Sequence, residues 1–184
     1  MIYPIVAYGD PVLKKVANDI EKGSLDVVKL TEDMFETMEN ARGVGLAAPQ
    51  VGLNIRFFII DTAVFEDEEI AAVRKVFINP TIEEEWGDEW PYEEGCLSIP
   101  GVRADVYRPP NLRIHYFDAD WKEHVEEYDG MVARVIQHEY DHIEGVLFVD
   151  YLSSIKKRLL KGKLMNISKG DCDATYRMKF PIKK

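Results

Sequence analysis

The stretch "GMVARVIQHEYDHIEG" (residues 130–145) decides the fold. Val132, Val135, Ile136, Glu139 and Ile143 recur at helical spacing, Asp129 can cap the start, and Gly145 lies where a helix commonly stops. On such a helix, His138 and His142 are four residues apart, so they return to within about 40° of one another with a rise of about 6 Å. Both imidazoles can then share one ion. Glu139 between them lies close enough to hydrogen-bond a water on that ion, as a general base must. Short H-E-x-x-H matches also arise by chance, and an exposed helix end with no function is the bland alternative.

Outward from this helix, no apolar run approaches the roughly 20 residues that a membrane span needs. The 184 residues contain no repeat, low-complexity tract or linker, so a single domain over 1–184 is expected. "LDVVKLTEDMFETMENA" (25–41) carries Val27, Leu30, Met34 and Met38 on one face, with Ser24 as N-cap and Gly43 past the end. "IRFFIID" (55–61) and "KVFINP" (75–80), closed by Asp and by Asn-Pro, have strand composition, and "LRIHYFDAD" (112–120) alternates as a strand does. "LSSIKKRLLKGKL" (152–164) is an amphipathic stretch weakened by Gly162, and "ATYRMKFP" (174–181) suits a strand or extended tail. The order predicts an α+β fold, a mostly antiparallel sheet around a central helix that carries the H-E-x-x-H.

The third ligand is not downstream. No Asp, Glu or His lies between Asp150 and Asp171, and Gly145 is followed by Val-Leu-Phe, which excludes the thermolysin and metzincin patterns. The upstream candidates are Cys96, His115, His124 and several carboxylates. His115, in an alternating strand, and His124, in "DADWKEHVEEYDG", suit a sheet face or a turn. Cys96 lies in "EEGCLSIPG" (93–101), and a thiolate beside two imidazoles suits zinc or ferrous iron, although a lone cysteine is more readily a small buried hydrophobe.

Three motifs, "GVGLAAPQVG" (43–52), "EGCLS" (94–98) and "QHEYDH" (137–142), together resemble peptide deformylases, and the similarity extends from "YGDPVLKKVA" (8–17) to "LSSIKKRLL" (152–160). The resemblance implies a hydrolase that removes the formyl group from the initiator methionine of new proteins. It implies Cys96, His138 and His142 as ligands of one divalent metal, ferrous iron in the cell with zinc, nickel or cobalt as substitutes. By the same resemblance Glu139 is the general base, Gln50 and the Leu97 N–H are the oxyanion donors, and Val44, Gly45 and Glu94 contact the N-formylmethionyl nascent peptide. A metallopeptidase on the same helix is the alternative enzyme. A non-catalytic metal protein would be expected to lack Glu139 or Gln50, and both are present.

Charge divides the chain. Residues 1–152 hold 13 Lys and Arg against 31 Asp and Glu, and the tail 153–184 holds 10 against 2. In some members of the family it resembles, the C-terminal segment docks on the ribosome, and the basic tail suits such RNA contacts or packing against the acidic body. No membrane or DNA partner is expected. The acidic segments 66–69 and 83–94 are expected to be solvated loops. "MIYPIVAYGDPVLKK" lacks a basic segment before its short apolar run, so a cytoplasmic location is expected.

Overall fold

The structure is a computed structural model and describes residues 1–182, so the last two positions of the basic tail, 183 and 184, lie outside the described residues. In chain order the elements are β1 (Ile5–Val6), α1 (Val27–Asn40), β2 (Gly45–Ala47), β3 (Phe57–Asp61), β4 (Arg74–Trp86), β5 (Trp90–Cys96) and β6 (Ile99–Arg108). Then follow β7 (Asn111–Phe117), β8 (Glu123–Asp129), α2 (Gly130–Ile143), α3 (Ser154–Ser168) and β9 (Met178–Lys179). Strands β2-β3-β4-β7-β8 form an antiparallel sheet, β5 and β6 form a separate hairpin, and β9 returns to pair in parallel with β1. The mostly antiparallel α+β fold around the H-E-x-x-H helix is as expected.

The α2 helix joins the layers. Val132, Ala133, Ile136 and Ile143 pack on Phe58, Ile60, Phe77, Leu112 and Ile114 of the large sheet. The other side of the helix faces the β5–β6 hairpin, where Arg134 donates to the Val106 carbonyl and His138 meets Glu94. On the opposite side of β2 and β3, Met34 and Met38 of α1 pack with Leu46, Phe57 and Ile59. The sheet is thus covered by a helix on each face.

Several local expectations are corrected. Asp26, not Ser24, caps α1, because its carboxylate reaches the Lys29 N–H at 2.9 Å while the Ser24 hydroxyl donates to the Glu21 carbonyl. Asn79-Pro80 does not close a strand. Asn79 adopts a positive φ and exchanges side-chain hydrogen bonds with the Ile20 backbone, so β4 bulges there and continues to Trp86. The acidic segment 83–94 is not a loop: it forms the end of β4 and most of β5, and it terminates in the buried Glu94. Helix α3 passes through Gly162 without a break, yet Ile155 and Leu159 stand exposed, so the expected apolar face is buried only near Leu160, Leu164 and Ile167.

Candidate active site

Two features bring the ligand set together. The helix fixes His138 and His142 with ring centroids 5.1 Å apart, and the tip of the β5–β6 hairpin carries Cys96 up to them. One ligand atom each from Cys96, His138 and His142 lies within 4.8 Å of the others, and Cys96 Sγ is 3.4 Å from His142 Nε2. His138 turns its Nδ1 to Glu94 Oε1 at 2.9 Å, which leaves Nε2 for an ion. Burial holds His142 well below the usual imidazole range, in the direction of the neutral state a ligand requires. A thiolate and two oriented imidazoles fit one borderline divalent cation. His115 and His124 are elsewhere, paired with Glu123 and Asp118 across the β7–β8 edge.

Glu139 is buried, and its Oε2 has no hydrogen-bond partner among the described residues although the side chain lines a cavity of about 430 Å³. Burial pushes its carboxyl up to about 7. It fits only because residue 45 is glycine: a Cβ there would lie 2.5 Å from Glu139 Oε1. Gln50 is fixed at both ends. Its Oε1 accepts the Ala47 N–H at 2.9 Å, so Nε2 points to Cys96 Sγ at 3.4 Å and Ser98 Oγ at 3.3 Å. Tying down the turn and facing the centre are therefore one and the same role. Val44, Gly45, Gln50, Leu97, His138 and Glu139 all line the same cavity.

Glu94 also lines this cavity, but its carboxylate is engaged by the protein itself. Its Oε2 accepts from Arg108 Nε at 2.7 Å and Arg134 at 2.9 Å, and its Oε1 from Arg108 Nη2 at 3.0 Å and His138. With both oxygens taken up by protein donors and 4 % of its surface exposed, it orients His138. Burial raises its carboxyl, but the bonds from His138 and Arg108 outweigh that and hold it well below the carboxylate range. Arg108 also bonds Asp141 at 2.8 Å, which ties the hairpin to α2 a second time. The sequence reading missed Arg108, Arg134 and Asp141. One local signal was available, an arginine four residues before His138 on an otherwise apolar helix face.

A buried carboxylate beside a cysteine and two histidines that could hold one metal ion, against an antiparallel sheet, fits the class of metal-dependent hydrolases. Within that class the comparisons are specific. The polypeptide deformylase family model matches residues 2–158. The peptide deformylase of Cytophaga hutchinsonii is 87% identical over the whole of both chains, and that of Christiangramia forsetii is 58% identical, covering 100% of this chain and 98% of its own. The peptide deformylase structure from Thermus thermophilus superposes with a TM-score of 0.82 at 39% identity, covering 91% of this chain and 98% of that one. The structure from Synechococcus elongatus in complex with actinonin gives 0.79 at 40% identity, covering 88% and 87%. The chain belongs to the peptide deformylase family and is a hydrolase that removes the N-formyl group from nascent peptides. Among the described residues, no helix is long and apolar enough to cross a membrane.

Proposed function

We propose that this chain deformylates the initiator methionine of new proteins in the cytoplasm, with one divalent cation held by Cys96 Sγ and the Nε2 atoms of His138 and His142. Ferrous iron is the proposed native ion, with zinc, nickel or cobalt as substitutes. When bound, such an ion polarises the formyl carbonyl and lowers the pKa of water towards about 7. The observation that carries the reading is the unpartnered, buried Oε2 of Glu139 facing a cavity beside the three ligand atoms.

Glu139 takes the proton of the attacking water and returns it to the departing α-amine. As the formyl carbon becomes tetrahedral, charge grows on its oxygen, and Gln50 Nε2 and the Leu97 N–H donate to it. Val44 and Gly45 let the substrate backbone approach closely. The apolar side chains of Phe65, Met131 and Val135 in the same cavity suit the methionine side chain. Glu94, Arg108 and Arg134 hold His138 in the required tautomer and keep the hairpin on the helix.

Residues 1–184 act as one catalytic domain in this reading. The basic C-terminal tail is the proposed contact with ribosomal RNA, supported by its charge and by the exposure of Lys156, Lys157 and Arg158 on α3. The test of function is formate release from formyl-Met-Ala-Ser by anaerobically metal-loaded protein, beside chelated protein and beside unformylated peptide. Formate release that requires metal supports the proposal. Cleavage of the unformylated peptide bond would instead identify a metallopeptidase.

A further inference from the structure

The tip of the β5–β6 hairpin carries both the Cys96 residue and the Leu97 N–H, and four contacts from three regions of the chain hold it. The Ser98 carbonyl accepts the Tyr8 N–H at 2.8 Å, and Ser98 Oγ accepts from Gln50 Nε2. The Leu97 side chain packs so closely over Gly43 that a Cβ there would meet Leu97 Cδ1 at 2.8 Å. The fourth hold comes from the far end of the chain: the Tyr176 hydroxyl donates to the Leu97 carbonyl at 2.7 Å.

Tyr176 is well placed to act as a rigid support. The segment that bears it begins at the end of α3, where the Asp171 N–H bonds the Asn166 carbonyl. It ends on β1, where the Ile5 and Ala7 N–H groups bond the Arg177 and Lys179 carbonyls at 2.9 Å. Between these anchors Asp173, Ala174, Thr175 and Tyr176 line the same cavity as Glu139 and Gln50. The tail is thus a wall of the active site, which neither the basic charge nor the composition of "ATYRMKFP" revealed.

We propose that Tyr176 is a positioning residue for deformylation: by holding the Leu97 carbonyl it fixes the tilt of the turn and so the aim of the Leu97 N–H. The proposal rests on the reading of Leu97 as an oxyanion donor. A two-residue turn can rotate its peptide planes by tens of degrees unless both are held, and a donor loses strength steeply as its angle opens. Productive sites tolerate only about 10–20° of such error. The bond to Tyr176 acts on the carbonyl of the residue whose N–H must be aimed, so its loss reaches the donor through one Cα.

The test compares wild type, Tyr176→Phe and Gln50→Ala, each nickel-loaded with metal content measured, in formate release from formyl-Met-Ala-Ser. Tyr176→Phe is expected to lower kcat about tenfold, a fraction of the hundredfold or more that follows loss of a whole donor, while KM stays within about twofold and metal content is unchanged. Gln50→Ala is expected to lose about a hundredfold. A Tyr176→Phe protein with a lower Tm but unchanged kcat would make the hydroxyl a fold contact only and overturn the proposal. A raised KM at constant kcat would overturn it too, by assigning the tail to substrate binding alone. If Gln50→Ala loses activity and Tyr176→Phe does not, the positioning role fails while the oxyanion reading stands. If Gln50→Ala keeps full kcat, Gln50 is not an oxyanion donor, and a tenfold loss in Tyr176→Phe would then still support the Leu97 N–H as the donor while an unchanged kcat would overturn the proposal.

Discussion

Towards the large sheet, α2 presents Ala133, Ile136 and Ile143, none with exposed surface, against aromatic and branched side chains of β3, β4 and β7. Towards the hairpin, the same turns of helix present the buried Arg134 and the partly buried His138 and Asp141, joined to Glu94 and Arg108 by charged hydrogen bonds. On the first side, contact area matters and direction matters little, so the energy comes from burial and dispersion. On the second, the buried charges add little net stability when complete and cost several kcal/mol when one partner is missing. Their return is geometric: they bring a cysteine on a hairpin to two histidines on a helix. One helix thus serves as a core element on one side and as a frame for a reaction centre on the other.

Substitutions around the base can separate these two roles, and among Gly45→Ala, Glu94→Gln and Ile136→Ala the largest effect on turnover belongs to Gly45→Ala. The new Cβ occupies the space of the Glu139 carboxylate, so the base swings away while the chain still folds. Turnover should fall by about a hundredfold or more at unchanged metal content, comparable to the loss of a positioned catalytic group. Stopped-rate formate assays with metal analysis check it. Retention of full activity would show that Glu139 has room to spare.

Glu94→Gln comes next. It leaves Arg108 and Arg134 without full compensation and loosens the tautomer of His138. Metal affinity should drop about 10–100-fold, as for other residues that orient a ligand, and competition with a chelator of known affinity measures it. Thermal stability should fall as well, because unpaired buried charges remain. An unchanged chelator titration would mean that the network serves the fold alone.

The smallest effect on turnover is expected from Ile136→Ala. Stability should drop by about 2–5 kcal/mol in denaturant titration, with kcat unchanged for the folded fraction. A drop in kcat below the denaturation range would show that the two sides of α2 are coupled.

The same division explains what was legible in the sequence. Period and spacing are local, so the α2 helix, its paired histidines and the small-residue segment at Gly43–Gly52 could be read directly, and the resemblance supplied Cys96, Gln50 and Leu97. Partners distant in sequence leave no local trace. Glu94 reads as one more acid in an acidic run, and only the fold surrounds it with arginines 14 and 40 residues away. Asn79-Pro80 reads as a stop because its side-chain bonds to Ile20, 59 residues earlier, are invisible in the pattern. Tyr176 lies 79 residues from the carbonyl it holds, and the pairing of β9 with β1 that brings it there is only two residues long.

The central claim is that Glu139 moves the proton in a centre assembled by Cys96, His138 and His142. Its most direct test is the single-turnover rate of formate release from formyl-Met-Ala-Ser by wild type and Glu139→Ala, each carrying one equivalent of nickel. The account predicts that the variant keeps its metal and loses several orders of magnitude in rate. A metal-replete Glu139→Ala protein that turns over within tenfold of wild type would contradict it.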